Sequence, residues 1–265
     1  SGGGLAVGGG LGSIIILVLA LLLGADPRKL LEQLPQESPG SRSQSSRPLN
    51  PQEEELKKFV AVVLAETEDV WTEVFRRNGR QYRKPTLVLY TGRVDSACGR
   101  ASAAVGPFYC SGDEKLYIDL SFFSELKTKL GAPGDFAIAY VVAHEVGHHV
   151  QHLLGTTDRT SAAQRRMSEA QANQLSVRVE LQADFMAGVW AHYAKDRGIV
   201  EPGDVEEALG AASAVGDDRL QKENQGYVVP DSFTHGTSAQ RISWFRRGLE
   251  TGDVREGDTF NAGDL

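Results

Sequence analysis

A chain of 265 residues with 41% apolar content can bury one good core. Once its terminal segments are set aside, the folded part shrinks to about 200 residues, the size of a single domain. Its 28 basic and 35 acidic residues are interspersed and leave a net charge of −7 with no basic stripe, so nucleic acid is excluded as an expected partner.

Residues 5–24, LAVGGGLGSIIILVLALLLG, carry no charge, and a helix of that length crosses the ~30 Å hydrocarbon core of a bilayer. The expectation is a membrane anchor over residues 1–25. The competing reading is a signal peptide with its apolar core at 11–23, but a small-x-small cleavage site is poorly formed around Ala25, so such a signal would stay uncleaved. Residues 26–52 include QLPQESPGSRSQSSRPLNPQ, with four prolines and almost nothing apolar, and read as an unfolded tether. The folded domain is expected over 53–265, with no internal repeat.

That domain opens with an amphipathic helix at about 53–77, where Leu56, Phe59, Val60, Val63, Leu64, Val70, Trp71 and Val74 form one apolar stripe. TLVLY at 86–90 and KLYIDL at 115–120 read as strands, with a loop and a further short strand between them. Cys98 and Cys110, the only cysteines, lie in that region. A disulfide between them would constrain the unfolded chain by roughly 3 kcal/mol and would persist only outside the cytosol. The bridge is expected, and with it a folded domain facing the periplasm or the cell exterior.

From Asp135 the chain runs DFAIAYVVAHEVGHHVQHLLG. Asp135 is placed to cap a helix and Gly155 to stop it, with Phe136, Ala139, Tyr140, Ala143, Val146 and Val150 at helical spacing. His144 and His148 then share a face, with Cβ atoms about 5 to 6 Å apart, and two neutral imidazoles at that spacing can close on one zinc ion. Glu145 falls one position round from His144, where a carboxylate can take a proton from water. This is the H-E-x-x-H arrangement of metal-assisted hydrolysis. His149 and His152 read as supporting or surface residues, because the alternative pair His148 and His152 has no glutamate after its first member.

A catalytic zinc needs a third protein ligand and one open position. No H-x-x-G-x-x-H extension follows, which excludes the metzincin arrangement. A long helical stretch at about 161–195 instead contains VRVELQADFMAG, with Glu180 and Asp184 one turn apart. Glu180 can serve as the third ligand while Asp184 accepts the ring N–H of a ligating histidine. Their setting among Val177, Leu181, Phe185 and Val189 argues against two merely solvated acids, since a buried carboxylate without a partner is costly. Further on, His235 precedes a helix that Thr237 or Ser238 could cap. His235 is a candidate donor to the oxyanion of a tetrahedral intermediate, with Arg241 a second candidate for that role or for structural support.

The stretches SACGRASAAVGPFYC, KLYIDLSFF, VVAHEVGHHVQ, VELQADFMAGVW and FTHGTSAQRISWFRRG, in that order, resemble the YpfJ-like family of neutral zinc metallopeptidases, which are bacterial membrane-anchored proteins. The resemblance covers about residues 55–250. It implies an α+β, gluzincin-like domain with a small sheet beside the H-E-x-x-H helix and a second E-x-x-x-D helix, preceded by a transmembrane helix. It also implies one catalytic Zn2+ on His144, His148 and Glu180, with Glu145 as the acid/base. An edge of the sheet would pair with an extended peptide through main-chain hydrogen bonds. The spacing of His235, Arg241 and Ile242 resembles the late motif of HtpX-like membrane gluzincins, although Gly236 stands where that motif usually has proline.

Two functions compete at this point. One is a zinc-dependent endopeptidase of the bacterial cell membrane, acting on peptide or protein substrates. The other is a non-catalytic, zinc-stabilised, membrane-tethered binding or chaperone-like module. Glu145 favours the first, because a purely structural zinc has no use for an acid there. Oligomeric state is not legible.

Overall fold

A computed structural model describes residues 49–102, 106–263 and 265. The expected anchor at 1–25 and residues 26–48 of the expected tether lie outside the described residues. Among those described, no helix is long and apolar enough to cross a membrane.

Helix α1 (Pro51–Arg77) begins two residues before the expected 53. The reason is local: Asn50 Oδ1 accepts the Glu53 N–H at 2.9 Å, the Glu53 carboxylate accepts the Asn50 N–H at 2.8 Å, and Pro51 fits the first helical position because its missing N–H is not needed there. Strand β1 (Thr86–Tyr90) runs parallel to β5 (Lys115–Asp119), and β4 (Phe108–Cys110) pairs antiparallel with the other side of β5, in the order β1-β5-β4. Strands β2 (Arg93–Ser96) and β3 (Gly99–Ser102) form a separate hairpin. Cys98, in its turn, is disulfide-bonded to Cys110 of β4. The fifth strand stops at Asp119 rather than Leu120, because the Asp119 carboxylate accepts the Ser121 N–H at 2.8 Å and so caps helix α2 (Leu120–Thr128).

Helix α3 (Asp135–Leu153) carries the H-E-x-x-H run through the middle of the core, packed by α1, by β4 and by the later helices. Asp135 does not cap it as expected. Gly134 occupies the cap at φ 115°, and the open Phe136 N–H is accepted by Glu207 at 3.1 Å. The stretch read as one helix over 161–195 is two, α4 (Thr156–Gln164) and α5 (Glu169–Asp196). Ser168 and Gln171 exchange side-chain and backbone hydrogen bonds at the start of α5, so this capping box begins a new helix where apolar periodicity gave no break.

Helices α6 (Asp204–Ala214), α7 (Asp217–Gln225) and α8 (Ser238–Thr251) complete a mixed α+β fold that is mostly helical. Helix α8, capped by Thr237 with Gln240, crosses α5 at backbone contact. A Cβ on Gly188 would stand 2.0 Å from the Phe245 carbonyl oxygen and one on Gly248 2.1 Å from that of Phe185, so neither position tolerates a side chain.

Candidate metal centre

Two helices make the centre. Helix α3 offers His144 and His148 on one face, and α5 crosses it closely enough to bring Glu180 to them. Gly147, between the two histidines, makes the crossing possible: a Cβ there would lie 2.9 Å from the Ala183 carbonyl oxygen and 3.1 Å from its Cα. One ligand atom each from His144, His148 and Glu180 falls within 4.8 Å of the others, with all three side chains largely buried.

The second nitrogen of each imidazole is already committed. His144 Nδ1–H donates to Asp184 Oδ1 at 2.8 Å, the contact expected of an E-x-x-x-D helix. His148 Nδ1–H donates to Gln151 Oε1 at 2.9 Å, and that amide is oriented in turn because its Nε2 donates to the Val179 carbonyl at 2.7 Å. Both Nε2 atoms therefore point toward Glu180, at 3.2 Å from His144 and 3.5 Å from His148. His148 Nε2 is buried and makes no hydrogen bond despite that proximity.

A neutral imidazole whose N–H is spent on Asp184 or Gln151 presents only a lone pair to a carboxylate, so the centre calls for a cation between them. Burial opposes charge on His144, yet the adjoining Asp184 and Glu180 outweigh it and lift its pKa to about 9. His148 is also raised, with the Glu180 charge overcoming burial, and Glu180 is held well below the usual carboxylate range by the two imidazoles, again against burial. A divalent ion would take the place of those protons. The donor set of two imidazoles and one carboxylate fits zinc with a position left open.

Glu145 is buried beside the ligands, and its Oε2 has no hydrogen-bond partner. Burial pushes its carboxyl up, with the two imidazoles and the Tyr109 backbone N–H pulling the other way.

Asp184 is fully buried and takes four hydrogen bonds. Beyond His144, its Oδ1 accepts from Tyr140 O–H at 2.5 Å and from Arg241 Nη2 at 2.9 Å, and its Oδ2 accepts from Arg241 Nε at 2.8 Å. Arg241 also donates to the Val215 carbonyl and to Tyr140 Oη. With its donors taken up in this way the guanidinium supports Asp184, and of the two roles read for Arg241 this geometry favours structural support over oxyanion binding.

His235 is buried, and its charge and that of Glu180 bear on one another. The sequence reading missed what holds it, Asp217. Asp217 Oδ2 accepts the backbone N–H groups of Thr234, His235 and Gly236 at 2.7, 2.6 and 3.0 Å, and Oδ1 lies 3.3 Å from His235 Nδ1. The Gly236 that departs from the HtpX-like motif now has a reason. Its φ of 87° is closed to proline, and proline would lack the N–H that Asp217 binds. Burial opposes charge on His235, but the Asp217 hydrogen bond and charge raise its pKa.

Two further residues fall outside the centre. His149 is fully buried and neutral, its pKa lowered by burial, with Nε2–H donating to the Arg83 carbonyl at 2.6 Å and Nδ1 accepting from Tyr109 O–H at 2.9 Å. That arrangement ties α3 to β4 and leaves no nitrogen for a metal. His152 lies 3.4 Å from Glu114 in the β4–β5 turn. Of the residues the sequence left unassigned, Gln151 sits one turn beyond His148 on a buried helix face, a signal that could have been read. Asp217 gave none, being remote in sequence and one of two adjacent aspartates.

The comparisons agree with this chemistry. The family described as "Putative neutral zinc metallopeptidase" matches residues 1–260. The chain is similar to the uncharacterized protein YpfJ of Escherichia coli (strain K12), 49% identical over 267 residues that cover 98% of this chain and 93% of that protein. It is also similar to uncharacterized proteins of Mycobacterium bovis and Mycobacterium tuberculosis, each 43% identical over 262 residues that cover 93% of this chain and 86% of theirs. No solved structure matches the chain.

Proposed function

The chain belongs to the neutral zinc metallopeptidase family, and on that premise we propose that it is a zinc-dependent endopeptidase in which Glu145 is the acid/base. The family implies zinc as cofactor and a peptide or protein as substrate. The observation that carries catalysis is Glu145 itself. A carboxylate oxygen buried without a partner, beside a cation site, costs stability and has no structural task, which a purely structural zinc would not explain.

His144, His148 and Glu180 would hold the metal. When bound, zinc supplies a Lewis acid that polarises the scissile carbonyl and favours deprotonation of water. Glu145 takes the proton of the attacking water and returns it to the leaving amine. His235, oriented by Asp217, donates to the oxygen that becomes negative at the tetrahedral stage. Asp184 and Gln151 fix the two imidazoles with Nε2 inward. We further propose that residues 1–25 anchor the protein in the bacterial cell membrane, with the domain on the periplasmic or external side, where the Cys98–Cys110 bond is stable.

The test is Glu145→Gln. Zinc should stay near one per chain, while hydrolysis of a peptide library should fall by about 10²- to 10⁴-fold, the usual loss of acid/base catalysis. Glu180→Ala should instead lose the metal, and Glu169→Ala, at the start of α5, should keep it. Equal cleavage by the parent and Glu145→Gln would refute the mechanism. No cleavage by either, with zinc bound, would favour the non-catalytic module.

A further inference from the structure

Residues 257–262, near the C-terminal end, are held against α5 by hydrogen bonds that converge on one stretch of that helix. Arg178 Nη1 donates to the carbonyls of Thr259, Phe260 and Ala262, the last two at 3.3 and 3.1 Å, and fully buried Thr259 returns its hydroxyl to the Arg178 carbonyl at 2.6 Å. Asp258 closes the turn by accepting the N–H groups of Phe260 and Asn261 at 3.2 and 3.1 Å. One helical turn on from Arg178, Gln182 Nε2 donates to the Gly257 carbonyl at 2.9 Å. A Cβ on Gly257 would stand 2.4 Å from the ring of Phe185, which is fully buried and has no room to swing aside. The metal ligand Glu180 lies between Arg178 and Gln182 in the sequence.

These bonds have a direction, because a backbone carbonyl can only accept. The Gly257 carbonyl takes the Nε2 side of Gln182, which turns Gln182 Oε1 toward Gln151 Nε2 at 3.2 Å. The second hydrogen of Gln151 Nε2 goes to the Val179 carbonyl at 2.7 Å. With both hydrogens spent, Gln151 offers His148 only its Oε1, so the imidazole carries its proton on Nδ1 and leaves Nε2 bare for a metal. Gln151 is 1% exposed, and neither end of its amide can turn to water instead. We propose that the segment 257–262 is part of the support of the metal centre: its Gly257 carbonyl fixes the amide of Gln182, and Gln182 is the positioning residue that fixes Gln151 and thereby His148. The inference rests on zinc binding by His144, His148 and Glu180 and is independent of peptide hydrolysis.

Zinc affinity of the full chain, measured by chelator competition well below the unfolding transition, reads the proposal without any substrate. Gln182→Met keeps length and packing and should bind zinc about 3- to 10-fold more weakly, the worth of one neutral hydrogen bond. The loss stays below the roughly 10- to 100-fold of a direct imidazole partner, because the Val179 carbonyl still holds Gln151. Gly257→Ala, which forces the segment away from Phe185, should weaken binding to a similar extent. The double variant should be no weaker than Gln182→Met alone, since both changes act through one residue. Val60→Ala, which removes buried methyls from α1, should lower stability and leave zinc affinity unchanged. Unaltered affinity in Gln182→Met overturns the proposal even if Gly257→Ala fails to fold. Additive losses in the double variant, or an equal loss in Val60→Ala, overturn it as well. A parent chain that binds no zinc would overturn the centre itself and the proposal with it.

Discussion

Arg241 grips Asp184 through two hydrogen bonds, Nε to Oδ2 at 2.8 Å and Nη2 to Oδ1 at 2.9 Å, while that same Oδ1 holds His144 Nδ1–H at 2.8 Å. The arginine of α8 thus positions a histidine of α3 without touching the open side of the metal centre. Both charges are buried, and neither can be removed alone without leaving the other uncompensated.

Asp184→Asn should weaken zinc binding by about 10- to 100-fold without abolishing it, as measured by chelator competition. Arg241→Met should be worse for the fold than for the metal. It strands a buried carboxylate, and loss of one partner of a buried pair costs about 3–5 kcal/mol. Urea unfolding of Arg241→Met within 1 kcal/mol of the parent would show that the pair is not needed for stability.

Gly147→Ala tests the helix crossing. The added methyl meets the Ala183 backbone, which cannot swing aside as a side chain can, so α5 must move and carry Glu180 away from the imidazoles. A loss of roughly 1–3 kcal/mol with a marked fall in zinc affinity is expected. Gly210→Ala, exposed in α6 with nothing near its Cβ, should instead stabilise by roughly 0.5–1 kcal/mol. Normal zinc affinity in Gly147→Ala would mean the crossing tolerates a methyl.

Asp217 and His235 should leave a signature in the pH dependence of stability of the metal-free protein. Burial raises the Asp217 carboxyl, but hydrogen bonds to His235 and the neighbouring backbone lower it overall, below its ordinary 3.8. Its contribution is present above that ordinary value and is lost as pH falls through the folded value. His235 is raised above 6.5, so its contribution is complete below pH 6.5 and is lost as pH rises through the folded pKa. Asp217→Asn should flatten part of both arms in thermal unfolding, and unaltered arms would deny the pairing. In turnover, His235→Phe should cost about 10²- to 10³-fold with zinc retained. A faster variant would mean that the imidazole restrains the centre.

The Cys98–Cys110 bond joins the β2–β3 hairpin to β4, whose Tyr109 backbone reaches Glu145 and whose Tyr109 hydroxyl reaches His149. Unreduced protein should be two hydrogens lighter by mass spectrometry than reduced protein. Reduction should destabilise the domain by roughly 3 kcal/mol. Two freely alkylatable thiols in protein isolated without reductant would place the domain in the cytosol instead.

The helices that matter were legible because their determinants are local. H-E-x-x-H on an apolar helical period places two histidines on one face whatever surrounds it, and the four-residue step from Glu180 to Asp184 does the same on α5. Strands β1 and β5 were readable for the same reason. What the sequence left open was decided by residues distant in the chain. Glu207 caps α3 from α6, and Asp217 gathers three backbone amides around His235. Arg241 shows the difference most sharply: its sequence allowed either oxyanion binding or support, and the geometry favours support because a buried guanidinium must find its countercharge, here on Asp184. The sequence by itself determined which side chains are chemically able to hold zinc and move a proton. Only the tertiary structure decided how they are oriented, because the second hydrogen bond of each imidazole and the charge balance of each buried acid depend on helices meeting in space.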